Sequence, residues 1–212
     1  MYKTSRIFCV FLFLIPAAVS GCHKTVHQVD PSRFENVIAA YTSGMISRES
    51  PIRIRFVDEV ADAARFNVAM KRSPFSFDPD IDGVTLWSDG HTLEFRPEER
   101  LPDGVSYKAN LDLSEILAVD PDKENFVFEF STIQQTFEVS IKGLESVVGR
   151  GQEVQQLSGE LLTADVENGS EIGKILTAFQ KGKRLDISWF HHNNKREHSF
   201  TVEGIVRGDA AS

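Results

Sequence analysis

Between residues 51 and 130 apolar side chains recur at every second position in short runs, and this alternation constrains the fold more than any other feature. Successive side chains of a strand point to opposite faces, so a period of two marks a strand with one buried face. Ile52, Ile54 and Phe56 share one face, with Arg53 and Arg55 on the other, and Phe75 and Phe77 repeat the spacing. The runs at 84–87 and 92–95 flank Ser88-Asp89-Gly90, a hairpin signal. After the turn Leu101-Pro102-Asp103-Gly104, the residues Tyr107, Ala109, Leu111 and Leu113 alternate, and Phe126, Phe128 and Phe130 close the series. Pro97 and Pro102 fall where strands end, as a residue without an N–H must. Six or seven short strands punctuated by turn residues predict an immunoglobulin-like β-sandwich over residues 34–133.

Ser131-Thr132-Ile133-Gln134-Gln135 separates this series from a second one, which predicts a smaller β-rich domain over 134–212. Phe137-Glu138-Val139-Ser140-Ile141 reads as a strand, and residues 154–163 as another with Leu157 and Leu161 on one face. Ile172, Ile175, Leu176 and Phe179 then fall at i, i+3, i+4 and i+7. That period predicts one helix over 170–180, with Ser170 as N-cap and Gly182 beyond its end. Leu185, Ile187 and Trp189 alternate again, as do Phe200, Val202, Gly204 and Val206. Ahead of the sandwich, residues 34–41 read as a short helix ended by Ser43-Gly44. Residues 22–33, with a proline and no apolar period, read as a tether. The fold class is mainly β.

The first residues follow a different logic. Lys3 and Arg6 precede an apolar stretch over 7–19 that is too short to span a bilayer as a helix, which predicts a signal peptide over 1–21. Val19-Ser20-Gly21-Cys22 matches the lipobox of bacterial lipoproteins, so Cys22 is expected to carry lipid as the first residue of the mature chain. Cys9 departs with the signal, which leaves no disulfide and makes packed cores the source of stability. Removing Lys3 and Arg6 from 23 basic residues leaves 21 against 31 acidic ones, a net charge of −10. Such a surface repels phosphate backbones and anionic headgroups, which argues against nucleic-acid partners. Membrane contact is then expected from the acyl chains on Cys22 and not from a basic patch. His23 follows the cysteine where an aspartate is associated with inner-membrane retention in enteric bacteria, which favours the outer membrane of the cell envelope.

Three clusters invite a chemical reading. Asp78-Pro79-Asp80-Ile81-Asp82-Gly83, with Asp89 six residues on, has the oxygen spacing of a calcium loop. Its strand flanks and the stiff Pro79 favour a polar turn instead. His191, His192 and His198 approach one another if Asn193-Asn194 turns a hairpin, but adjacent strand residues face opposite ways, so only one of the first pair meets His198. No G-x-S-x-G elbow accompanies the serines, histidines and acids, and no enzymatic activity is expected. Trp87 and Trp189 suit sugar stacking, yet their alternation with apolar neighbours favours sheet positions in or near the core. No catalytic residue, metal ligand or cofactor is assigned; Cys22 is the single expected functional residue.

The stretch Tyr41-Thr42-Ser43-Gly44-Met45-Ile46-Ser47-Arg48-Glu49-Ser50-Pro51-Ile52-Arg53-Ile54-Arg55-Phe56 resembles the opening of the large alpha-2-macroglobulin-like lipoproteins of Bacteroidetes. The S-P-I-R-I-R-F strand at 50–56, the hairpin at 89–97 and the L-P-x-G-x-x-Y turn at 101–107 are also similar to bacterial Ig-like modules. Residues 161–166, 185–189 and 198–205 resemble that family's next, macroglobulin-like module. The resemblance implies an N-terminal, membrane-anchored part of a protease-trapping inhibitor, with proteases as partners of the parent protein and a scaffold role for this portion. No thioester Cys-x-Glu-Gln motif occurs in the 212 residues, so a fragment or a truncated product of a far longer chain is expected. The alternative is a surface or periplasmic lipoprotein module that binds a glycan or a protein.

Overall fold

The structure is a computed structural model that describes residues 31–147 and 154–207. The expected signal peptide, Cys22 and most of the expected tether lie outside the described residues.

Eight strands build a sandwich: β1 (Ile38–Tyr41), β2 (Gly44–Ile46), β3 (Ile52–Phe56), β4 (Phe75–Asp78), β5 (Gly83–Trp87), β6 (Thr92–Pro97), β7 (Ser106–Asp112) and β8 (Asn125–Thr132). One sheet runs β1-β3-β6-β5 and the other β2-β8-β7-β4, the order of an immunoglobulin sandwich whose first strand is shared between the sheets. The chain switches sheets at Thr42-Ser43-Gly44, where Gly44 takes a φ of +70° that side chains disfavour. β2 then pairs in parallel with β8, while the other pairings between the strands of the sandwich are antiparallel. The alternation read from the sequence is the burial pattern of the strands. Ile52, Ile54 and Phe56 are buried and Arg53 and Arg55 exposed; Phe126, Phe128 and Phe130 are buried along β8. Aromatic contacts close the gap between sheets, with Phe77 and Phe95 centred 4.7 Å apart.

Residues 34–41 are not a helix. A 3-10 turn over Pro31–Phe34 buries Phe34 against Phe126, and Ile38–Tyr41 continues as strand β1 against β3. Phe34, Ile38 and Tyr41 satisfy the helical spacing, but the pairing partner, absent from local sequence, decides the outcome.

A third sheet contains β9 (Phe137–Ser146), β10 (Val154–Thr163), β13 (Ile187–His191) and β14 (Glu197–Val206), in the antiparallel order β13-β14-β10-β9. Between β10 and β13 lie a single helical turn, α1 (Gly169–Ile172), and a small hairpin of β11 (Ala178–Gln180) and β12 (Lys183–Leu185). The expected helix over 170–180 is thus shortened to one turn. Asn168, not Ser170, is its N-cap, and Phe179 belongs to β11. Gly173 interrupts the helix and Gln180 supplies strand-like bonds to β14: its Nε2 donates to the Val206 carbonyl at 2.7 Å, and the Val206 N–H donates to its Oε1 at 2.9 Å.

Candidate functional site

Charged loops at one end of the sandwich meet the third sheet in a dense polar joint. Arg48, from the β2–β3 loop, directs its guanidinium at Glu167 (2.8 Å) and Asp165 (3.7 Å) in the β10–α1 loop. Its backbone N–H donates to the Asp165 carboxylate at 2.7 Å. Arg100, from the β6–β7 loop, bridges Glu167 and Glu49 at 2.5 Å each, and Glu49 also reaches Lys195 in the β13–β14 turn at 3.3 Å. Gln135 sits between β8 and β9: its Oε1 accepts the Asp165 N–H, and its own N–H donates to Asp103. Asp165 is only 2% exposed, so these polar partners offset the cost of its burial.

Glu167 is the centre of the joint. Burial pushes its carboxyl up, but donation from the Asn168 N–H, Gln135, Arg48 and Arg100 outweighs burial and holds the pKa at about 2. A carboxyl that is more acidic folded than unfolded adds stability above its unfolded value of 4.5, and that contribution disappears as pH falls through the folded value. Urea titrations are expected to show stability falling by up to about 3 kcal/mol between pH 4.5 and 2 on this account. Glu167→Gln is expected to flatten that part of the profile; an unaltered profile would remove Glu167 as its source.

Near the joint the β13–β14 register sets His191 opposite His198, with their Nδ1 atoms 2.9 Å apart. His198 is buried, and burial first, then the neighbouring His191 and His192, push its pKa down. His192 faces the other way and meets the Ser199 hydroxyl at 3.1 Å. The alternation argument therefore holds at this hairpin: one of the adjacent histidines meets His198. No group of three or more His, Cys, Asp or Glu converges into a metal-holding cluster among the described residues. The calcium-like spacing is dissolved by the fold. Asp80 and Asp82 line a cleft of about 530 Å³ with Glu98 and Glu99. Asp89 lies beyond the far end of β5 and accepts the His91 N–H in the hairpin turn.

The third sheet has one open face. Val139, Ile141 and Leu144 of β9 remain exposed, and the apolar side chains of β9, β10, β13 and β14 form the floor of a groove of about 440 Å³ beside the β11–β12 hairpin. Trp189 is half-buried on this sheet, stacked 6.0 Å from His191. Trp87 is 1% exposed inside the sandwich, so it presents no sugar platform. Neither the joint nor the groove carries a local sequence signature. The charges of the joint are scattered over loops as much as 146 positions apart, and only the folded pairing shows them as one network.

No protein-family model matches the chain, and no curated protein does. Among solved structures the chain is similar to L,D-transpeptidase 3 from Mycobacterium tuberculosis carrying a faropenem-derived adduct. The identity is 12% and the TM-score 0.34, over 77% of this chain and 60% of that one. It is also similar to an L,D-transpeptidase from Mycobacterium tuberculosis H37Rv, at 12% identity and a TM-score of 0.33, over 76% and 61%. The chain spans about 60% of the length of these structures. These neighbours are L,D-transpeptidases; the expectation that this chain has no enzymatic activity is withdrawn, and no activity is put in its place. A likeness this slight assigns no reaction to it.

Proposed function

We propose that the chain is the membrane-anchored N-terminal part of an alpha-2-macroglobulin-like protease-trapping protein, in which it serves as anchor and scaffold. The observation that carries this reading is the pairing of a fixed joint with an unfinished sheet. The Arg48–Glu167–Arg100 network locks the third sheet to a fully packed sandwich, while the apolar face of that sheet stays exposed at Val139, Ile141 and Leu144 among the described residues. A wall element that receives a following module needs both properties. The lipobox at 19–22 supplies the anchor in this reading, with Cys22 as the acylated residue.

Mass spectrometry of the protein purified from its cell envelope tests the proposal. The expected result is a diacylated N-terminal Cys22 peptide together with peptides that continue beyond Ser212 in the same polypeptide. An N-terminus other than a lipidated Cys22 overturns the anchor, and an intact mass ending at residue 212 overturns the trap. A binding module for a protein partner is favoured instead by the 440 Å³ apolar groove taken by itself. For the glycan version, the buried Trp87 gives no support, whereas Trp189 is half-buried.

A further inference from the structure

The β11–β12 hairpin is chemically out of keeping with the rest of the chain. Residues 174–184 contain four basic residues and no acidic one, in a protein of net charge −8. Lys174 is neutralised by Glu171 at 2.7 Å, whereas Lys181, Lys183 and Arg184 enter no ion pair among the described residues. Phe179 is 63% exposed at the edge of the groove and directly opposite Arg184 in the register, which puts both residues on the same face of the hairpin. Val206, half exposed, and Arg207 extend the same surface, because the Gln180 side chain clamps the hairpin to Val206.

The hairpin is held in this pose. Lys181 and Gly182 take φ values of +50° and +79°, the paired left-handed conformation of a two-residue turn whose twist matches its strands. Both Gln180 bonds tie the hairpin to the end of β14, where it forms one edge of the groove with the Phe179 ring 63% exposed. Glu171 is occupied by Lys174, and neither Asp186 nor Glu203 forms an ion pair with the cations of the tip among the described residues. Asp186 follows β12 on the side of the third sheet, where its carbonyl accepts the Glu203 N–H.

We infer that this hairpin is a membrane-docking element, with Lys181, Lys183, Arg184 and Arg207 on anionic phospholipid headgroups and Phe179 and Val206 at the acyl boundary. An exposed aromatic ringed by unpaired cations suits a surface that is anionic outside and apolar just beneath. A soluble acidic partner would use the cations but not the exposed part of the Phe179 ring at the edge of the groove. Because Debye screening confines charge effects to roughly 8 Å at physiological salt, a local basic tip acts at a headgroup despite the acidic remainder of the protein. The hairpin adds a basic contact where composition alone assigns membrane contact only to acyl chains. It deepens the membrane-anchored reading but is separable from it, since it requires no lipid on Cys22.

Co-sedimentation of residues 22–212 carrying Cys22→Ser, which has no acyl chain, tests the inference. Vesicles of phosphatidylglycerol mixed with phosphatidylcholine are compared with phosphatidylcholine alone. Binding to the anionic vesicles that weakens with salt is expected, with at least a ~30-fold loss in the triple variant Lys181→Glu/Lys183→Glu/Arg184→Glu. Phe179→Ser is expected to weaken binding several-fold while leaving the salt dependence in place. Circular dichroism of these variants should match the unmodified chain, and the salt dependence of that chain is itself a test that needs no substitution. No binding, equal binding to both vesicle types, or full binding by the triple variant overturns the inference. Binding of acidic soluble proteins without binding of vesicles overturns it as well. None of these failures touches the acylation of Cys22, which the N-terminal peptide reports separately.

Discussion

Arg48→Ala is expected to lower the stability of the third sheet by about 3 kcal/mol and to separate its unfolding from that of the sandwich. Removing one partner from a buried ionic network leaves the others desolvated without compensation, which is why such losses exceed those at a surface ion pair. Here Asp165 loses its guanidinium neighbour and Glu167 loses one of two. The expected loss sits at the lower end of the range for buried pairs, because Asp165 keeps the N–H donors of residue 48 and Val166. The third sheet has little else to rely on. Leu161, Ile172, Phe200 and Val202 are its buried apolar residues, against nineteen in the core of the sandwich. Trp87 in the sandwich and Trp189 in the third sheet give separate fluorescence probes once the other is replaced by Phe. Urea unfolding of Arg48→Ala should show the Trp189 transition moving to lower denaturant ahead of Trp87. Coincident, unshifted transitions would show that the joint does not couple the two parts. Arg48→Lys should recover part of the loss, since an ammonium keeps the charge but not the fork that spans Asp165 and Glu167.

The sandwich was legible because its strands are buried on one face and wet on the other. The pleat writes that asymmetry directly into the order of Ile52-Arg53-Ile54-Arg55-Phe56 and Phe126-Val127-Phe128-Glu129-Phe130. The period failed where two geometries fit the same residues. Phe34, Ile38 and Tyr41 suit a helix as well as a turn followed by a strand, and β3 supplies the partner that selects the strand. Ile172, Ile175, Leu176 and Phe179 match a helical stripe, yet Lys181-Gly182 makes a hairpin turn and Gln180 finds strand-type bonds on Val206. The joint was illegible for a different reason. Arg48, Arg100, Asp165 and Glu167 are ordinary loop charges until topology brings them together, and no spacing rule spans 119 positions. The same limit hid the basic tip, because a net charge averages over a surface that the fold divides unevenly.

Trp87→Ala is expected to destabilise the sandwich by about 3–5 kcal/mol, the cost of an unfilled aromatic cavity in a packed core. The ring packs on Phe56 at 5.5 Å between centroids, and Arg65 lies over it at 5.5 Å. Phe66 bridges to the Trp87 backbone, and the Asn67 N–H donates to its carbonyl at 2.8 Å. The Trp87 backbone thus holds the 57–70 excursion against β5, while its ring fills the core and meets Arg65. Its Nε1–H meets no acceptor among the described residues, so the ring contributes through its apolar area and not its donor. Trp87→Phe follows as the sharper test: it keeps much of the packing, discards the unpartnered donor, and is expected to cost about 1–2 kcal/mol. Thermal or urea unfolding monitored by far-UV circular dichroism reads both. If Trp87→Ala instead left stability within about 0.5 kcal/mol of the parent while abolishing binding to a glycan, the ring would be a ligand platform. Burial at 1% exposure argues for the opposite order, in which any loss of binding follows unfolding.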